Sequence, residues 1–176
     1  MKRLGLVLTV LVLAACSSQA ATGSTPGPVT ASATPAEMAS QLGTGCGSTA
    51  VLQGGTPAWL DAAGGHNNPT GLPYVIGHPA LVAGFLFADP LRADSPESPA
   101  NKVLWVVRMP RNGSPLVIDG HPLGAATPRV HQSQPANSSP GEIYPSIVDA
   151  PTAGCWQFDL QWATSRAQVE LMFVAA

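Results

Sequence analysis

The C-terminal part of the chain alternates between apolar and polar residues with the period of a β-strand. Over Gln157–Trp162 the apolar residues fall on one side and the polar residues on the other, and after a short turn at 163–165 the alternation resumes through Val169–Phe173. An alternation of period two is typical of a strand with one buried face. Two such runs joined by a tight turn predict an antiparallel hairpin.

A stronger apolar run lies in the middle of the chain, at Lys102–Met109, and is closed by Pro110. Continuous apolar character over this length indicates a strand that is buried on both faces. Residues 111–114 have the composition of a turn, and Pro115–Asp119 then resumes an apolar pattern. We expect these two strands to form a second hairpin.

Three further segments are strand candidates, namely Ala80–Ala88, Thr127–Ser133 and Ile143–Val148. Glycine and proline number 18 each and supply the turns that short strands need. Short strands punctuated by turns predict an all-β fold, and we expect a small antiparallel β-sandwich, immunoglobulin-like in general architecture. The alternative is a small Greek-key barrel.

The composition divides the chain into three parts. Residues 1–15 have the pattern of a leader, residues 16–42 are expected to form a flexible tether, and residues 43–176 form the predicted sandwich domain. Ser17–Pro35 consists of small and polar residues without charge, which cannot bury enough apolar surface to fold. Within the end of the tether, Pro35–Leu42 could make one or two helical turns, with Thr34 as the N-cap.

The leader begins with two positive residues, Lys2 and Arg3, and continues with the apolar run Leu4–Ala15. This pattern is typical of a bacterial signal peptide. The run has about 12 residues, whereas a transmembrane helix needs roughly 20. We therefore interpret the leader as a targeting segment and not as a membrane-spanning anchor.

The run ends in Leu13-Ala14-Ala15-Cys16, which resembles the lipobox of bacterial lipoproteins. The resemblance implies cleavage before Cys16, covalent lipid on its thiol and attachment to the extracytoplasmic face of the cell membrane. The membrane is then a partner through the lipid anchor, and we expect no other cofactor. The alternative is an ordinary secretory signal in which Cys16 is incidental.

Cys46 and Cys155 remain as a pair once Cys16 carries lipid. An exported protein occupies an oxidising compartment, where paired cysteines form disulfides. We therefore predict a disulfide between Cys46 and Cys155. The alternative is two separate buried thiols.

The segment before the last hairpin contains a Pro-x-x-Gly-Cys-Trp element, made by Pro151, Gly154, Cys155 and Trp156. Together with the strand run at 102–108, it resembles a pattern found in small exported bacterial proteins of unknown function. The resemblance supports the sandwich fold and implies no activity.

Charge and motifs exclude several classes of function. The full chain has 8 Lys and Arg residues against 10 Asp and Glu, and removal of Lys2 and Arg3 makes the balance more acidic. A nucleic-acid-binding protein needs a basic surface, so we expect no nucleic acid as a partner. The sequence contains no Gly-x-Ser-x-Gly and no His-Glu-x-x-His motif. We therefore do not expect an enzyme.

Three histidines are candidate metal ligands. His78 and His121 each lie in a Gly-His-Pro turn, and His66 lies in a further glycine-rich loop. If these turns met at one end of the sandwich, the neutral imidazoles could bind copper or zinc. Their spacing matches no recognised ligand motif, and glycine and proline alone explain both turns.

Two functions follow from these patterns. The first is a lipid-anchored β-sandwich that acts as a binding or structural module in the cell envelope, with an envelope protein or a glycan as its partner. The second is an envelope protein that handles copper or zinc through His66, His78 and His121.

Overall fold

The computed structural model describes residues 39–65, 71–140 and 143–176. The predicted signal peptide, Cys16, the tether up to residue 38 and His66 lie outside these residues. The strands of the described part are β1 (Ser40–Cys46), β2 (Thr49–Gln53), β3 (Tyr74–Ile76), β4 (Val82–Leu86), β5 (Leu91–Arg92), β6 (Lys102–Val107), β7 (Leu116–Pro122), β8 (Val130–Gln134), β9 (Tyr144–Ile147), β10 (Gly154–Trp162) and β11 (Ser165–Val174).

The strands form two sheets that pack face to face. Sheet A has the order β1-β2-β3-β4-β6-β9, and sheet B has the order β5-β11-β10-β7-β8. Neighbouring strands are antiparallel, except for the short parallel pair of β5 and β11. Apolar side chains of both sheets, including Trp105, Trp156 and Phe158, share the core between them. This architecture confirms the predicted all-β sandwich.

The C-terminal hairpin has the predicted form. β10 and β11 pair in register from Gly154↔Phe173 to Trp162↔Ser165. The remaining two-residue turn places Ala163 in the left-handed region, with φ 46°. The burial of β10 and β11 alternates along both strands, so their apolar residues face the core and their polar residues face outward.

The predicted second hairpin is wrong. β6 lies in sheet A between β4 and β9, whereas β7 lies in sheet B between β10 and β8. The intervening turn forms, with Asn112 and Gly113 at φ 56° and 64°, but it carries the chain from one sheet to the other. The turn chemistry indicates where the chain reverses and does not decide which edge the next strand joins. β6 is bonded along both edges by β4 and β9, so neither edge is free for β7.

The helix predicted at Pro35–Leu42 is wrong over Ser40–Leu42, which belong to β1. β1 begins three residues before the predicted domain boundary at 43 and pairs with β2. An isolated helix of one or two turns is marginally stable in water, because the conformational entropy lost in nucleation exceeds the free energy gained from so few hydrogen bonds. Pairing with β2 therefore decides the conformation of this segment.

The other three strand candidates are confirmed with shifted ends. Ala80–Ala88 contains β4, Thr127–Ser133 overlaps β8 and Ile143–Val148 contains β9. Pro145 lies in β9, at the edge of sheet A, and edge strands are where a residue without a backbone N–H is accommodated within a sheet.

The outer face of sheet A is covered by a short helical segment. Ala58–Leu60 and the irregular turn Asp61–Gly65 bring Leu60 and Ala63 against Tyr74, Phe85 and Val106, which form a second apolar cluster. The central strands β3, β4 and β6 of sheet A are therefore buried on both faces. Sheet B carries no such layer, and its polar outer side chains are half-buried or exposed.

Candidate functional site

A disulfide joins the two sheets. Cys46, at the end of β1, bonds to Cys155 of β10 across 109 residues of sequence, with the two Cα atoms 5.6 Å apart. The prediction of this bond is confirmed. Because Trp156 and Phe158 face the core, Cys155 lies on the outer side of sheet B. The hairpin of β1 and β2 must therefore reach over β11, which lies between β10 and the sheet edge.

A carboxylate clamp holds the tip of this hairpin against β11. Glu170 Oε2 accepts hydrogen bonds from Ser48 N at 2.6 Å, Ser48 Oγ at 2.8 Å and Thr49 Oγ1 at 3.2 Å. The backbone N–H of Glu170 in turn donates to Thr49 Oγ1 at 2.9 Å. Burial by itself would raise the pKa of Glu170, but the hydrogen bonds from Ser48 and Thr49 outweigh it and lower that pKa. Glu170 is therefore a fixed negative charge at neutral pH.

We expect Glu170→Gln to remove a pH-dependent part of the stability. Because the folded protein lowers the pKa of Glu170 from its ordinary 4.5, its contribution is fully present above that value and is lost as pH falls through the folded pKa. The free energy of unfolding of the variant should be about 1 kcal/mol lower at pH 7, and it should decline less steeply than that of the parent as the pH falls from 7 to below the ordinary pKa of 4.5. Urea denaturation across this range measures both effects. Glu97→Gln, in an exposed loop, is the matched control, and a Glu170→Gln curve parallel to that of the parent would contradict the clamp.

A cleft opens between this hairpin and the β5–β11 edge of sheet B. Its volume is about 440 Å³, and we call it the edge cleft. Its apolar walls include Leu42 and Val51 of the hairpin, Leu91 of β5 and Leu171 and Met172 of β11. Leu42 and Met172 are 50% and 39% exposed, so apolar surface is presented at its mouth.

Two carboxylates also line the edge cleft, those of Asp89 and Glu170. Burial raises the pKa of Asp89. Lysine, arginine and histidine are absent from the described residues that line the cleft. The edge cleft is therefore an apolar space with negative charge at its boundary.

A row of polar side chains crosses the outer face of sheet B. The strand register places Gln168, Asp159, Asp119 and His131 opposite one another on β11, β10, β7 and β8. Two carboxylates directly opposite in a sheet repel each other. Their neighbours offset this repulsion, because Gln168 Nε2 donates to Asp159 Oδ1 at 2.7 Å and His131 Nδ1 lies 2.6 Å from Asp119 Oδ1.

A shallow trough follows this row, with a volume of about 670 Å³, and we call it the polar trough. Asp119, Asp159 and Gln161 line it together with the arginines Arg129 and Arg166. Arg129 Nε donates to the carbonyl of Ala126 at 3.0 Å. Within the described part of the chain, neither guanidinium forms an ion pair with a carboxylate. The trough therefore offers both positive and negative groups to a ligand.

The predicted histidine ligands are not gathered into one site in the described residues. His78 exchanges two backbone hydrogen bonds of 2.8 Å with Gln168 and lines the polar trough. His121 Nε2 lies 4.0 Å from Asp159 Oδ2, and its Nδ1 is 3.0 Å from the carbonyl of Pro122. No group of three or more His, Cys, Asp or Glu side chains suited to a metal ion occurs among residues 39–65, 71–140 and 143–176. The copper or zinc function stays a prediction, because His66 lies outside them.

Apart from His78, the residues that line the polar trough were not predicted as site residues from the sequence. The alternation of β10 indicates that Asp159 and Gln161 face away from the core, but it does not name the residues opposite them. Asp119 joins the row because β7 pairs with β10, and Arg129 joins because β8 lies beyond β7. These pairings depend on strand order, which no local pattern contains.

Comparison of the chain with known protein families, with curated proteins and with solved structures finds no match. The described residues also contain no helix with the length and apolar character required to span a membrane.

Proposed function

We propose that this chain is a lipid-anchored binding module of the bacterial cell envelope, and that the polar trough is its ligand-binding surface. The observation that carries the proposal is the asymmetry of the sandwich. Sheet A is covered on its outer face by Leu60 and Ala63, whereas sheet B leaves a concave face of mixed charge open to solvent. Among the described residues the guanidiniums of Arg129 and Arg166 have no ion-pair partner, so both are available to a ligand in this trough.

The disulfide supports the proposed location of the protein outside the cytosol. Disulfides persist in oxidising compartments and are rare in the cytosol, so the bond between Cys46 and Cys155 agrees with export. The bond uses two of the three cysteines. Cys16 is left as the third, directly after Leu-Ala-Ala, where a lipobox requires its thiol.

The ligand we propose is a polar envelope component that carries both charges, such as the peptide-bearing glycan of the cell wall. The guanidiniums of Arg129 and Arg166 suit carboxylates, which they can bind through two parallel N–H donors. The carboxylates of Asp119 and Asp159 suit ammonium groups and hydroxyls. We assign no catalytic role to this surface. An envelope protein that presents the same charged groups is the alternative ligand.

Co-sedimentation with purified cell-wall polymer tests the proposal. We expect the parent chain to pellet with the polymer and Arg166→Gln to bind about tenfold more weakly, because a charge-assisted hydrogen bond contributes about 1.5–3 kcal/mol. Arg108→Gln is the matched control, since Arg108 is exposed at the end of β6 and does not line the trough. Equal binding of both variants would assign the polymer to another surface, and a parent chain that stays in the supernatant would exclude this ligand.

A further inference from the structure

We infer that the edge cleft is a second binding site, distinct from the polar trough, and that it takes a small amphiphilic amine: an apolar chain that ends in an ammonium group. The cleft enters the sandwich at its edge, because Val51, Leu91 and Leu171 belong both to its walls and to the core between the sheets. A space of about 440 Å³ lies within the range of small-molecule sites.

Two links in the wall of the edge cleft fix the β1–β2 hairpin against sheet B. Cys46 and Glu170 line the cleft, and they tie the hairpin to sheet B, one through the disulfide and the other through Ser48 and Thr49. The cleft is therefore formed in the folded chain before a ligand binds. A preformed site loses less conformational entropy on binding than one that must first become ordered.

The carboxylates of Asp89 and Glu170 determine which charge the head group of the ligand should carry. Glu170 remains ionised at neutral pH because three hydrogen bonds stabilise its carboxylate. Asp89 has no hydrogen-bond or ion-pair partner in the described part of the chain, although it borders apolar surface. The nearby cations point elsewhere: the Lys102 ammonium lies 4.7 Å from the centroid of the Phe87 ring, and Arg92 donates to the carbonyl of Ala175.

An unpaired carboxylate at the mouth of an apolar space is complemented by an ammonium group, while a fatty acid would place a third negative charge beside Asp89 and Glu170. The apolar tail would then replace solvent against Leu42, Val51 and Met172. The observations therefore favour a cationic amphiphile over an anionic or uncharged one.

Calorimetric titration with three eight-carbon probes tests this inference. The sample is the full 176-residue chain, produced without acylation in an oxidising cytoplasm so that the disulfide forms and no detergent is present. We expect saturable one-to-one binding of n-octylammonium, about tenfold tighter than that of 1-octanol, and weaker binding still of n-octanoate. Equal affinity for the three probes, or no binding of n-octylammonium, would overturn the inference.

Variants at exposed positions locate the site. Asp89→Asn should weaken n-octylammonium about tenfold and leave 1-octanol unchanged, whereas Leu42→Ser should weaken both. Asp94→Asn removes the same charge from an exposed residue outside the cleft, at φ 52°, a conformation that asparagine accepts. Near-UV circular dichroism checks that each variant keeps the parent fold. If Asp94→Asn matches Asp89→Asn, or if sedimentation shows that a second copy of the chain fills the cleft, the inference is wrong.

Discussion

Replacement of both Cys46 and Cys155 by serine is expected to lower the free energy of unfolding by up to about 4.7 kcal/mol, the value of the chain-entropy model for a loop of roughly 100 residues. The two cysteines are 109 residues apart, so the bond restricts almost the whole unfolded domain. The total stability of a domain of this size is about 5–15 kcal/mol. Without the bond, the hairpin of β1 and β2 is still linked to β11 by the Glu170 clamp.

Urea denaturation of the double variant and of the parent, with and without reductant, measures this effect. The reduced parent should reproduce the midpoint of the variant, and reductant should leave the variant unchanged. Cys16→Ser is the matched control, because it removes a cysteine without removing the bond. A difference between double variant and parent below about 1 kcal/mol would mean that packing and the Glu170 hydrogen bonds hold the hairpin in place without the disulfide.

Replacement of Cys16 by alanine is expected to abolish incorporation of lipid and to leave uncleaved precursor at the membrane. In the predicted lipobox the thiol of Cys16 is the group that would accept the lipid, and in bacterial lipoproteins this modification precedes cleavage. Metabolic labelling with a palmitate analogue measures the incorporation. The Cys46→Ser and Cys155→Ser double variant should keep its label, which separates loss of the acceptor from loss of the fold. Equal labelling of Cys16→Ala and the parent would remove the lipid anchor from the proposed function.

The proposed amphiphilic-amine site and the proposed lipid anchor can each be rejected without affecting the other. The anchor depends on Cys16, whereas the edge cleft depends on Asp89 and the walls of the folded domain. Titration of the unacylated chain therefore gives the same answer whether or not Cys16 carries lipid in the cell.

Features with a local cause could be predicted from the sequence. β10 and β11 alternate strictly because one face of each strand is buried, and a two-residue gap between them leaves a hairpin as their connection. The disulfide could be predicted because Cys46 and Cys155 remain as a pair once Cys16 is assigned to the predicted lipid anchor, and paired cysteines form disulfides in the oxidising compartment that the predicted export implies. The all-β class follows in the same way from short apolar runs separated by glycine and proline.

The fold class, most of the strands and the pairing of Cys46 with Cys155 were predictable from local patterns. Which strands are neighbours was not: β6 and β7 belong to different sheets, and residues 40–42 of the helix predicted at Pro35–Leu42 belong to β1. Both candidate sites depend on contacts between distant parts of the chain: β7 pairs Asp119 with Asp159 of β10, and the loop before β5 brings Asp89 to the same cleft as Glu170 of β11. The physical reason is that periodicity and turn chemistry act over a few residues, whereas strand order minimises exposed edges and apolar surface over the whole chain.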